Sequence, residues 1–283
     1  MPRRKQPTAR QVRLGLELRK LREAAGLKAR EAAALLGADS VQMSNIESGI
    51  SGVSEARVRR FAGQYASSDS ELIEALVAMA TDRTHGWWEE FRGVLPAAYL
   101  DLAELDHHAK FRHDVAVTHV PGLFQTEDYA HALFAYMNPE FPDSEVALRV
   151  DHRMKRKVVV EGPDPIPYET VIHEAALRIK VGGRTAMRAQ LTRILAMAEA
   201  DHITVRVIPF SLEDFAGAGS ALVHLGGPVP RLDTVVRDGP HGTAFLDSEA
   251  QLEHFRTLFR KVKEASLSPR QSRDLIHQLA NEL

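Results

Sequence analysis

The chain of 283 residues contains no cysteine. That excludes disulfide bridges, cysteine nucleophiles and thiolate metal centres. It also lacks any apolar run approaching the roughly 18 residues that span a bilayer. Its opening, Met-Pro-Arg-Arg-Lys-Gln, has no apolar segment of the kind a secretory leader carries. A cytoplasmic protein, with no membrane partner, is the expectation. Net charge is nearly absent too, −2 overall. The balance hides an asymmetry, because residues 1–66 hold 13 Lys/Arg against 6 Asp/Glu, a net +7, and the remainder holds 23 against 32, a net −9. A basic segment joined to an acidic body suits nucleic-acid binding at one end of the chain.

What is present is organised around Ala33–Gly49. Leu35 and Leu36 close one short helix, and Gly37 stands where a helix terminator takes positive φ. Asp39 is placed to cap a second helix, with Gln42 three residues on as the other half of a capping box. Met43 and Ile46 fall on its inner face, which leaves Ser40, Val41, Gln42 and Asn45 facing out before Gly49 ends the helix. A short, uncharged, hydrogen-bonding face of this kind suits base edges in a major groove. Upstream, Leu14, Leu18, Leu21 and Leu27 recur at helical spacing among Arg13, Arg19, Lys20 and Arg22. Downstream, Ser54 caps a helix carrying Val58 and Phe61, and Asp69 opens another through Ala80 with Leu72, Ile73, Leu76 and Met79 as its stripe.

From Arg13 to about Tyr65 the chain resembles the Xre/Cro-repressor type of helix-turn-helix domain. The likeness rests on Leu-Arg-Lys-Leu-Arg-Glu-Ala-Ala-Gly-Leu, the small Ala33, Gly37, Ile46-Glu47 and Gly49. It implies double-stranded DNA with an inverted-repeat operator as partner, and a homodimer. Where that family places a Thr-Gln pair against phosphate, this chain has Lys28 and Ala29, so Lys28 and Arg30 are expected to supply the contact by charge. The basic Arg3, Arg4, Lys5 and Arg10 form an arm suited to phosphate or a minor groove, or a solvated tail.

Beyond Thr84 the pattern is mixed. The paired Trp87-Trp88 is expected to dock a linker. Tyr99–Asp114 is expected as helix and Val115–Val120 as strand, followed by helices opening at Thr126 and Ser144, the latter with Arg153, Lys155, Arg156 and Lys157 in its last turns. Strands are expected at Tyr168–Ile172, Ile203–Ile208, Ala221–Leu225 and Leu232–Val236, with helices at Met187–Ala200, 248–264 and 269–281. The fold class that follows is mainly α, an N-terminal Xre/Cro-type helix-turn-helix bundle followed by a larger α+β domain with a small sheet. The domains expected are a basic arm 1–12, a DNA-binding domain 13–82, a linker 83–98 and a regulatory or dimerisation domain 99–283.

The second part carries its own resemblance. Gly86-Trp87-Trp88, the run Val120–Ala130, Glu174–Arg178, Met187–Leu191 and Val205–Phe210 are similar, in order, to an actinomycete family of antitoxin-like regulators. Members are often encoded beside a small partner protein. Where that family has Tyr-x-Glu after a late strand, this chain has Val236-Arg237-Asp238.

No catalytic constellation emerges. His173-Glu174 begins a His-Glu-x-x-His motif, but the fifth residue is Leu177. Asp106, His107, His108 and His113 are dense, with Asp106 and His113 seven apart on one expected helix face, yet solvated or capping histidines fit better than a metal. Gly217-Ala218-Gly219-Ser220 matches neither a phosphate loop nor a nucleophile elbow, and Gly182-Gly183-Arg184 is a turn. No enzyme, cofactor or metal is expected. Two functions stand: a dimeric DNA-binding transcriptional regulator with a signal- or partner-receiving C-terminal domain, or an antitoxin-like protein that binds a small partner and autoregulates its operon.

Overall fold

The computed structural model describes residues 6–64, 69–213, 215–216, 220–239 and 242–283. The chain divides into two compact units, one reaching Leu105 together with Pro228–Arg231, the other formed by Asp106–Gly227 and Leu232–Leu283.

The first unit is helical. It comprises α1 (Ala9–Ala24), α2 (Ala29–Leu35), α3 (Ser40–Glu47), α4 (Glu55–Gln64), α5 (Ser70–Thr81), a 3-10 turn at Trp87–Phe91 and the first turns of α6 (Ala97–His108). The leucines spaced along α1 turn inward, and Leu14, Leu18 and Leu21 are buried with Leu36, Met43, Ile46, Val58, Phe61, Leu72 and Leu76. Trp88 and Phe91 are buried in the same unit, the two tryptophan rings meeting edge to face at 6.1 Å.

One expectation is corrected at the start of α1. Thr8 caps it with Gln11 in a capping box, so helix begins at Ala9 and residues 9–12 are not arm. Arg10 therefore sits on α1 in an ion pair with Asp82 at 3.1 Å. Burial holds its guanidinium below the ordinary arginine range, against the pull of Asp82 and Glu104. Asp101 of α6 accepts the free Ala9 N–H at 2.9 Å, the kind of helix-start donor that has no partner within its own helix. Arg3, Arg4 and Lys5 lie outside the described residues, as do Tyr65 and Gly217–Gly219.

The second unit is α+β. Its strands are β1 (Arg112–Ala116), β2 (Tyr168–His173), β3 (Ile203–Ile208), β4 (Leu222–Leu225), β5 (Thr234–Gly239) and β6 (Gly242–Leu246), in the order β3-β2-β1-β4-β5-β6. The first three are parallel, because α7 (Glu127–Met137), α8 (Asp143–Arg156) and the one-turn α9 (Val158–Glu161) cross from β1 to β2, and α10 (Glu174–Arg178) and α11 (Gly183–Met197) from β2 to β3. The others add antiparallel. One face of the sheet packs Tyr168, Ile172 and Val207 on Leu191 and Ile194 of α11 and Ile276 of α13 (Pro269–Asn281). The other packs Val115, Val171, Ile208 and Val235 on Leu252, Phe255, Phe259 and Val262 of α12 (Glu249–Ala265).

Several boundaries differ from expectation. The helix expected to run to Asp114 stops at His108, and the strand begins at Arg112, three residues before the expected Val115. The cause is a buried charge network that disguises β1 as polar. Arg112 donates to Asp114 at 2.9 and 3.1 Å and also bonds Asp106, Arg156 donates to Asp106 at 2.9 and 2.7 Å, and Tyr168 donates to Asp114 at 2.8 Å. Val120 falls outside the strand, its N–H given to the Tyr129 hydroxyl. On α11, helix starts at Gly183, behind Gly182 in the left-handed region, rather than at Met187. Strand β6 was not expected at all.

The histidine set separates accordingly. Asp106, His107 and His108 end α6, whereas His113 is on β1, its ring stacked on Phe259 at 4.5 Å. Asp106 and His113 do not share a helix face. His173 caps α10 by accepting from the Ala175 N–H, and Glu174 beside it accepts from Phe210 N–H at 2.7 Å and pairs with Arg178.

Candidate DNA-binding face

Two turns of chain make the face. Leu36 caps α2, Gly37 takes φ +63°, and the Ala38 N–H returns to the Ala33 carbonyl at 2.9 Å, so the chain reverses within three residues. Asp39 then caps α3, its carboxylate accepting from the Gln42 N–H at 2.6 Å. Ala33 is 2% exposed, small enough for α2 to pack on α3. Met43 and Ile46 fill the inner face of α3.

Ser40, Val41 and Ser44 are exposed on the outer side of α3, while Gln42 and Asn45 are half-buried. Those four expected readout positions, Ser40, Val41, Gln42 and Asn45, thus share one helix, with the amides partly covered. The Gln42 side chain is not engaged in the cap; only its backbone is. Lys28 and Arg30 are not on that helix. They stand exposed at the start of α2, where Glu31 accepts the Lys28 N–H at 2.7 Å.

Charge is distributed unevenly around this face. Arg19 pairs with Glu23 at 2.7 Å, Lys20 with Glu17 at 2.6 Å, and Arg59 with Glu55 at 2.8 Å and Glu74 at 2.5 Å. Lys28 and Arg30 have no carboxylate within ion-pair distance among the described residues. Their charge is available to phosphate.

What fixes α3 against α1 was not visible as a motif. Arg22 of α1 donates to both carboxylate oxygens of Glu47 at 2.6 and 3.0 Å, and also to the Leu27 carbonyl at 2.7 Å. Glycine makes the rest of the contact. A Cβ at Gly15 would come within 2.5 Å of the Glu47 carbonyl oxygen, and one at Gly49 within 2.8 Å of the Gln11 carbonyl oxygen. Gly49 also needs its φ of +75°. The two helices therefore meet backbone to backbone.

A short helix reached through a tight glycine turn, packed by its neighbour and polar on its outer side, defines a helix-turn-helix protein. Residues 13–76 match a helix-turn-helix domain family. Residues 99–278 match the family described as a domain of unknown function, DUF5753, and since this is more than half of the chain, the chain belongs to that family. No curated protein and no solved structure matches it. No helix among the described residues is long and apolar enough to cross a membrane.

Proposed function

We propose that the protein is a sequence-specific transcriptional regulator of the Xre type, acting as a homodimer on an inverted-repeat operator in the cytoplasm, without catalytic chemistry of its own. The observation that carries this is the rigid seating of α3, with Ser40 and Val41 exposed and the amides of Gln42 and Asn45 at its outer side. Lys28 and Arg30 hold phosphate at the start of α2. Apart from Val41 and Val94, the large apolar residues described in the first unit are used on its own core, so the pairing surface and the receipt of a signal are assigned to the second unit. One such bundle reads a single half-site, and two are needed about 34 Å apart for a palindrome.

A second reading, an antitoxin-like role of holding a small protein encoded nearby, is favoured by Tyr136 and Met137, 84% and 60% exposed in succession at the end of α7. Tyrosine and methionine are residues that interfaces favour. The deciding experiment is selection of bound duplexes from a random pool with purified full chain, beside light scattering. Enrichment of a two-fold symmetric site by a dimeric chain supports the first reading. A monomer that enriches nothing overturns it.

A further inference from the structure

Val41 is the second residue of α3 and is 60% exposed, whereas Met43 and Ile46, the other large apolar residues of that helix, are 0% and 2% exposed. Among the described residues of the first unit, the other large hydrophobic side chain so exposed is Val94, at 59%, in the turn after the 3-10 segment. Valine contributes poorly to a helix, since its branched Cβ restricts its rotamers, and most of this side chain is left to solvent. On a helix surface, residues three and four apart are neighbours. Val41 therefore stands beside Ser44 and Asn45, an apolar tip set next to an amide.

The major groove has one apolar feature that matches such a tip, the methyl on C5 of thymine, and adenine offers N6 and N7 to an amide. We propose that Val41 receives the C5 methyl group of a thymine while Asn45 bonds an adenine in the same or the adjoining pair, so that each half-site holds a fixed A·T position opposite the start of α3. This rests on the DNA-binding reading above and names what that face selects. The same methyl is carried by 5-methylcytosine, which the test separates.

Duplexes enriched from a random pool by the full chain are resynthesised with each thymine replaced singly by uracil, which removes the methyl and leaves every hydrogen-bonding group. At one position per half-site, affinity should fall about four-fold, the equivalent of one buried methyl group at about 0.8 kcal/mol. Val41→Ala should bind thymine and uracil duplexes alike, and Val41→Thr, which keeps one methyl, should retain part of the discrimination. Because the side chain is exposed, both variants should melt as the parent does. Replacing that pair by C·G and by 5-methyl-C·G should leave the methylated duplex tighter by a similar factor. Specific binding that tolerates uracil everywhere, or Val41→Ala still preferring thymine, or equal binding of the two cytosine duplexes, would overturn the assignment while leaving the regulator intact. A chain that enriches no sequence overturns both.

Discussion

Arg22 and Glu47, 25 residues apart, grip each other through two hydrogen bonds of 2.6 and 3.0 Å, and both are under 10% exposed. The pair ties the last residue of α3 to α1. Removing Glu47 leaves the buried Arg22 with the longer 3.3 Å contact to Glu23 and the Leu27 carbonyl among its remaining partners, a loss at the lower end of the range for a broken buried pair, about 3 kcal/mol. Glu47→Ala should lower stability by that amount in urea titration. Arg22→Lys should recover only part, because an ammonium cannot reproduce the planar fork. A Glu47→Ala loss below about 1 kcal/mol would show that water reaches the pair.

Readout should reside in the two amides. Gln42→Ala and Asn45→Ala are expected to reduce preference for the selected site over random duplex by about 1–3 kcal/mol each. Stability should hold for Gln42→Ala, since the cap uses its backbone N–H and not its side chain. Competition binding beside thermal melts separates the two effects. Equal loss on both DNAs would refute readout by these residues.

Lys28 and Arg30 should act on every sequence alike. Each phosphate they neutralise contributes about 0.9 to the slope of log K against log salt, so Lys28→Ala with Arg30→Ala should flatten that slope by about 1.8. Fluorescence anisotropy at several salt concentrations measures it. An unchanged slope would mean that the start of α2 faces away from DNA.

Acid sensitivity should map partly to His113. Burial, with the nearby His224 ring second, pushes its pKa from 6.5 down to about 4. The folded chain therefore keeps the imidazole neutral where the unfolded chain takes a proton. That contribution is complete above pH 6.5 and is lost as pH falls from there toward 4. His113→Phe, which preserves the stack on Phe259, should show a shallower fall in Tm over this window. Parallel curves for parent and variant would exclude the residue.

The helix-turn-helix was legible because its signals are local. Gly37, the Asp39 cap and the Met43–Ile46 spacing all act within one or two turns, and the structure places each as expected. Arg22–Glu47 was not, since nothing near either residue announces a partner so distant. Gly15, in the middle of α1, carries no local sign that the Glu47 carbonyl lies against it. Strand β1 is hidden in the sequence because Arg112 and Asp114 look solvent-facing, yet they are buried in a network where Arg112 and Arg156 balance Asp114 and Asp106. Arg10 is hidden in a similar way, its partner Asp82 lying far along the chain. On the outer side of α3 the polar residue types are legible in the sequence, but the half-burial of Gln42 and Asn45 depends on packing.

Where Gly15 of α1 meets the Glu47 carbonyl at the end of α3, backbone lies against backbone with no side chain to compress, and the Arg22–Glu47 pair locks the same end. If α3 reads the groove as proposed, a helix mounted in this way cannot roll to suit an imperfect one. Accommodation must then come from the duplex. On the two-fold operator proposed above, two sites with identical bases beneath α3 should differ in affinity when the steps between their half-sites differ in stiffness, so that base pairs the protein never touches become part of its address.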